Sequence, residues 1–151
     1  MKNISGEMYD DILVPTDGSE GTAQTLDHAI EIAGNHDAIL HAVSVIDQRV
    51  YLAAEDDERE EIVDRLRRDA EAAIEDIAER VAETDLDLET SVVDGTPYKE
   101  ILGYADEHDI DLVTIGTHGR TGRDRLENLG SVTERVVREA ERTVLVVNIG
   151  D

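Results

Sequence analysis

Residues 111–131 read DLVTIGTHGRTGRDRLENLGS. The stretch opens as a strand: Leu112, Val113, Thr114 and Ile115 form an apolar run without alternation, the pattern of a strand covered on both faces. It then changes character. Gly116, Gly119, Gly122 and Gly130 open the backbone for close approach, and Arg120, Arg123 and Arg125 gather in a chain that is otherwise acidic. A helical pattern starts at Val132. A strand end, a glycine-rich turn and a fresh helix N-terminus, in that order, suit a bound phosphate, because backbone N–H groups and the helix dipole both favour an anion there. Strand, turn and helix are also the repeating unit of an alternating α/β domain, and the rest of the chain keeps that alternation.

Upstream, residues 11–15 (DILVP) are an apolar first strand, ended by the turn chemistry of Pro15, Thr16, Asp17, Gly18 and Ser19. Ser19 can cap a helix that runs to about Asn35 with Leu26, Ala29, Ile30 and Ala33 on one face. Residues 38–46 form a second strand. Residues 47–60 are acidic, lack a clear period and read as a loop leading into a helix. In that helix Ile62, Leu66, Ala70, Ile74, Ile77 and Val81 recur at three- and four-residue spacing. Residues 86–93 alternate as a third strand. Asp94, Gly95, Thr96 and Pro97 then supply a turn, a Thr cap and a proline at the first helical position of a helix running to about His108. The quoted stretch provides the fourth strand. A helix over 132–141 and a valine-rich strand over 143–149 close the chain.

The order β-α-β-α-β-α-β-α-β predicts one α/β domain over residues 1–151, with a parallel sheet between two helical layers. Right-handed crossovers restrict its topology. No linker or internal repeat divides the chain. Ligands on such sheets bind beyond the carboxyl ends of the strands, where the strand order switches direction. The ends of the first and fourth strands, at Pro15, Thr16 and Asp17 and at Gly116, Thr117, His118 and Gly119, are therefore the candidate site.

Composition narrows the function. The chain carries 37 acidic and 14 basic residues, a formal charge of −23. Its only lysines are Lys2 and Lys99. This argues against binding nucleic acid or an anionic membrane surface, both of which need clustered Lys and Arg. Acids spread over almost every segment, with few lysines and no Phe or Trp, match a protein kept hydrated in concentrated salt, as in a halophile. Cysteine is absent, so disulfides, zinc ribbons and thiol catalysis are excluded. No apolar region follows Met1, Lys2 and Asn3, and no apolar run approaches membrane-spanning length, so a soluble cytoplasmic protein is expected. The histidines show no close metal-ligand spacing, so no dedicated metal site is expected.

Neither a P-loop nor the dinucleotide fingerprint GxGxxG is present. The glycines of the quoted stretch do resemble the nucleotide-binding signature of the universal stress protein family: Gly, two residues, Gly, nine residues, Gly, then Ser or Thr. Gly116, Gly119, Gly130 and Ser131 match it, with ten residues between the second and third glycines. The opening ILVPTDGS, Leu40-His41-Ala42 in the second strand, the VDGTP turn and the closing RTVLVVN also resemble the family in order. The resemblance covers nearly the whole chain. It implies a three-layer α/β/α fold with a five-stranded parallel sheet of order 3-2-1-4-5. It also implies ATP bound between the first and fourth strands, and a homodimer formed through the last strand, 143–149.

By position, the resemblance places Pro15, Thr16 and Asp17 at the adenosine end and Ala42 and Ile115 along the adenine pocket. It places Gly116, Gly119, Gly130 and Ser131 against ribose and phosphates, with Val132 beside them. Arg120, next to Gly119, is the expected phosphate partner, whereas Arg123 and Arg125 are expected to be solvated or paired with Asp124 and Glu127. Mg²⁺, if it accompanies ATP, would be held mainly by phosphates and water. The added residue either bulges outward or displaces Gly130 and Ser131 by a few ångströms, since one extended residue spans about 3.5 Å.

Each motif has a second reading. Ser131 and Glu134 spell the S-x-x-E of a capping box, which would commit the hydroxyl to the helix end. His118 has no Ser or Cys partner in view, so its placement is structural, not catalytic. His41 belongs to the core edge of the second strand. The expected function is an adenine-nucleotide-binding stress-response module that signals by binding, with at most slow ATP hydrolysis. The alternative is a non-nucleotide, dimeric interaction module of the same family, which the longer spacing favours. A phosphoacceptor receiver domain is disfavoured, because Asp94 has no lysine after the last strand to accompany it.

Overall fold

The computed structural model describes residues 8–18, 20–117 and 129–149. The elements are β1 (Asp11–Thr16), α1 (Glu20–His36), β2 (Ile39–Asp47), α2 (Gln48–Leu52), α3 (Asp56–Val81), β3 (Leu88–Gly95), α4 (Pro97–Glu107), β4 (Leu112–Gly116), α5 (Ser131–Glu139) and β5 (Thr143–Val147). The strands form one five-stranded sheet in the order β3-β2-β1-β4-β5, and every pairing is parallel. The α/β fold and the strand order are those expected. No helix of the described residues is long and apolar enough to cross a membrane.

Each central strand feeds two cores, because successive side chains point to opposite faces. Ile12, Val14, Leu40, Ala42 and Leu112 meet Leu26, Ala29 and Ala33 of α1 and Ile77 and Val81 of α3. Leu13, Val43, Val113 and Ile115 meet Ile101, Tyr104 and Ala105 of α4 and Val136 of α5. The sheet is therefore a middle layer buried on both sides, which is why its strands read as continuous apolar runs.

At the amino end of the sheet, buried His41 bridges strands and helix. Its Nδ1 lies 2.8 Å from the Tyr104 hydroxyl, and its Nε2 lies 2.9 Å from Asp11 Oδ1. A proton on Nε2 donates to the carboxylate and leaves Nδ1 to accept from the phenol, so every polar group is satisfied. Burial, then the charges of Glu89 and Asp11, push the Tyr104 phenol above its ordinary value and keep it a donor. Arg142, just ahead of β5, donates to the carbonyls of Ala105 and Ile110 at 3.0 and 2.8 Å and pairs with Asp106. This closes the carboxyl end of α4.

Three expectations are corrected. Residues 47–60 are not a loop. Asp47 caps α2 by accepting from the Arg49 N–H at 3.0 Å, and α3 begins at Asp56. The first turn of α3 is Asp56, Asp57 and Glu58, which the helix dipole favours but which carries no apolar period. The last strand ends at Val147, so Asn148 and Ile149 lie beyond it. The last helix starts at Ser131 and stops at Glu139.

Candidate functional site

The site begins with a ladder that stops. The Asp10 carbonyl accepts from Ile39 on the β2 side, and the Asp11 carbonyl accepts from Asp111 on the β4 side, both at 2.9 Å. Odd residues of β1 therefore address β4 and even residues address β2. Pro15 is odd, and it has no N–H to give. Pairing of β1 with β4 covers only Ile12 with Leu112 and Leu13 with Val113. By contrast, β1 stays paired with β2 as far as Thr16 and Ser44, and β4 with β5 as far as Gly116 and Val147. The two central strands thus part at their carboxyl ends, between the outgoing β1-β2-β3 half and the β4-β5 half. This is where an open α/β sheet offers its crevice.

The lining of the crevice follows from strand parity. Pro15 shares a face with Leu13, and Ile115 with Val113, the face covered by α4 and α5. On β2 the residue that reaches this face at the carboxyl end is Val45, which packs with Val93 and Val132 against the same core. Ala42 lies elsewhere. It pairs in register with Val14, is buried in the α1/α3 core and faces away from Ile115. The structure does not bring Ala42 and Ile115 together; Val45 is the β2 residue that shares the face of Ile115. Thr16 faces the α1 side, where its hydroxyl lies 3.1 Å from that of Thr22 and accepts from the Gly18 N–H. Asp17 follows as an exposed turn residue.

The glycine-rich stretch is anchored at both ends. The Gly130 N–H donates to the Thr117 carbonyl at 2.8 Å, which holds the two described ends of the stretch together. The Thr133 hydroxyl donates to the Gly116 carbonyl at 2.7 Å and ties α5 to β4. The reason for glycine at 116 is packing: a Cβ there would sit 2.9 Å from Ile149 Cγ1 and 3.2 Å from Thr25 Oγ1. Gly21 receives the same Ile149 side chain, 3.1 Å from where its own Cβ would be.

The cap of α5 is Gly130, not Ser131. Gly130 is extended at φ −61°, ψ 154°, its carbonyl accepts from the Glu134 N–H, and no side chain among the described residues caps the end. Ser131 is the first helical residue, so the capping-box reading is one residue out of phase. Among the described residues no side-chain oxygen caps the opening N–H groups of α5, an arrangement that favours an anion.

Acids ring the neighbouring strand ends, but arginines pair with them. Arg49 grips Asp47 at 2.9 and 2.7 Å, and this hydrogen-bonded guanidinium holds the Asp47 carboxyl below its usual range. Arg67 lies 3.1 Å from Asp94. Ser19, His118, Gly119, Arg120, Arg123 and Arg125 lie outside the described residues. Val45, Thr133 and Ile149 are the positions that sequence reasoning missed. The parity of β2 and long-range hydrogen bonds single them out, and neither leaves a local pattern.

Comparison with known proteins agrees with this geometry. The universal stress protein family matches residues 8–148. Universal stress protein MJ0531 of Methanocaldococcus jannaschii is 33% identical over 141 residues, which cover 93% of this chain and 82% of that protein. The solved structure of hypothetical protein MJ0577, from the same organism, superposes with a TM-score of 0.83 at 30% identity, covering 95% of this chain and 99% of that one. A universal stress protein in complex with cAMP superposes with a TM-score of 0.72 at 25% identity, again covering 95% and 99%. A sheet that splits at Pro15, a glycine-rich stretch closed by Thr117 and Gly130, and a match along almost the whole length lead to one assignment: the chain belongs to the universal stress protein family.

Proposed function

We propose that this protein binds an adenine nucleotide, ATP in the first instance, at the carboxyl ends of β1 and β4 and signals by that binding. The observation that carries the reading is the ladder that ends at Pro15, beside an α5 N-terminus that no described side chain caps. The gap gives a flat apolar base somewhere to enter, and the helix end gives phosphate oxygens somewhere to rest. Pro15, Val45 and Ile115 would flank the base. Asp17 would accept from ribose hydroxyls, and the N–H groups of Ser131 and Val132 would meet phosphate. Gly119 and Arg120 join this set on sequence grounds, and Mg²⁺ would ride on the phosphates and water. The cAMP complex of a protein with this fold supports the ligand class.

The role is binding, with at most slow ATP hydrolysis. The one Asp–His–Tyr chain among the described residues is buried at the opposite end of the sheet, away from any phosphate. We also propose a homodimer through β5. This strand ends the sheet, and Val144, Leu145 and Val146 are only half-buried along it.

Calorimetric titration in concentrated KCl tests the nucleotide reading. ATP should release heat and raise the melting temperature, with a stabilisation of about 2.7 kcal/mol at a ligand concentration a hundredfold above Kd. No heat and no shift with ATP, ADP, AMP or adenosine would refute it. That outcome would favour the second reading, a dimeric interaction module without nucleotide, for which the ten-residue spacing speaks.

A further inference from the structure

We infer that Thr117 is a positioning residue for the phosphate side of this site, and that it works by tying the glycine-rich stretch to the tail that follows β5. The functional half of this inference rests on the nucleotide reading; the structural half does not.

Thr117 is only 3% exposed and engages separate elements with separate groups. Its N–H donates to the Val147 carbonyl at 2.9 Å, at the end of β5. Its carbonyl accepts from Gly130 N–H at 2.8 Å, which sets the start of α5. Its hydroxyl accepts from Ile149 N–H at 3.1 Å, across 32 positions of sequence. Any residue but proline offers the two backbone bonds. Only a hydroxyl-bearing side chain of this length offers the third, so the third is what makes the residue specific.

The third bond reaches further than one amide. It fixes Ile149, whose side chain fills the hollow left by Gly116 and Gly21. Gly116 in turn holds α5 through its carbonyl and the Thr133 hydroxyl. The tail, the end of β4, the start of α1 and the start of α5 therefore meet around Thr117. Removing its hydroxyl frees Ile149, empties the hollow and loosens Gly116 and Gly130 together. The crevice faces of Pro15, Val45 and Ile115 take no part in these bonds, so a base should be felt less than a phosphate.

The test compares wild type with Thr117→Val, Thr117→Ser and Ile149→Ala. ATP and adenosine affinities are read by calorimetry in concentrated KCl, and Gly130 and Ile149 amide exchange by NMR without ligand. Thr117→Val should weaken ATP by about fivefold, the worth of one hydrogen bond, and leave adenosine within about twofold. Thr117→Ser should restore ATP binding. Thr117→Val and Ile149→Ala should both speed exchange at Gly130. Equal loss for ATP and adenosine, or unchanged exchange at Gly130 in both variants, would overturn the inference. If wild type binds neither ligand, the nucleotide reading fails and the exchange data alone decide the positioning role. If Thr117→Val does not fold, Ile149→Ala decides it, because that variant leaves Thr117 in place.

Discussion

Thr114→Val should make this protein more stable, although it removes a polar group from the middle of a strand. Thr114 is fully buried in β4, and its hydroxyl has no hydrogen-bond partner among the described residues. A buried hydroxyl without a partner carries a desolvation cost of about 1–3 kcal/mol. Valine has the same shape, suits a strand equally well and removes that cost. In a chain of this length each kcal/mol moves the midpoint by about 2–4 °C. The melting temperature should therefore rise by about 2–12 °C, and the urea midpoint should rise with an unchanged m-value. Thr114→Ser keeps the hydroxyl and deletes a methyl, so it should lose about 1 kcal/mol. Thr133→Val is the opposite control, because the hydroxyl it removes donates to the Gly116 carbonyl at 2.7 Å. It should destabilise by about 1–3 kcal/mol, leaving that carbonyl unpaired. A Thr114→Val variant that melts at or below wild type with the same m-value would refute the reasoning, for the hydroxyl would then be satisfied in solution.

Other outcomes follow from other contacts. Gly116→Ala should cost about 1–3 kcal/mol by driving a methyl into Ile149, and much less in an Ile149→Ala background, a coupling that a double-mutant cycle in urea measures directly. Tyr104→Phe should lose about 1–2 kcal/mol near neutral pH by removing the donor to His41. The Tyr104 phenol is raised in the folded state, so its contribution is complete below an unfolded value of about 10 and fades as pH climbs through the folded one. Urea midpoints from pH 8 to pH 11 should thus fall more steeply for wild type than for Tyr104→Phe. Val45→Phe should abolish adenosine binding with little change in melting temperature. Ala42→Val should lower the melting temperature by overpacking the α1/α3 core, without a selective effect on ligand. Finally, a formal charge of −23 repels itself, so the melting temperature should rise as KCl is raised from 0.1 M, where screening reaches about 10 Å, to 1 M, where it reaches about 3 Å. A fall over that range would contradict this.

The strands and the alternating plan were legible because burial on both faces leaves apolar runs that end in turn residues. The same double burial hid the phase of each strand. In LHAVSVID every position is compatible with a core, so nothing local says that Val45, and not Ala42, shares a face with Ile115. The helices hidden in residues 47–60 were missed for a different reason. The first turn of α3 is solvated acid and α2 has no buried residue, so neither shows an apolar stripe. At the glycine-rich stretch the residue types were informative and the roles were not. Ser131 spells a cap, but the bond between Gly130 and Thr117 moves the cap back one residue. Gly116 resembles a ligand glycine, but a side chain 33 residues later in the chain, Ile149, fills the space it leaves. The contact between Gly116 and Ile149 lies beyond any local sequence pattern, and the bond between Gly130 and Thr117 leaves no trace in residue type.

The missing amide of Pro15 also bears on how quickly a ligand can arrive. A crevice made by breaking a formed strand pair would have to wait for that pair to open, and the association rate would inherit the barrier. Here the pairing of β1 with β4 ends at Leu13 and Val113, so no strand pair has to break at their carboxyl ends. A small planar molecule meeting the crevice would spend none of its interaction energy on prising strands apart. Its association should be limited by encounter, scale linearly with concentration in stopped-flow mixing, and leave differences in affinity among related ligands to their rates of departure.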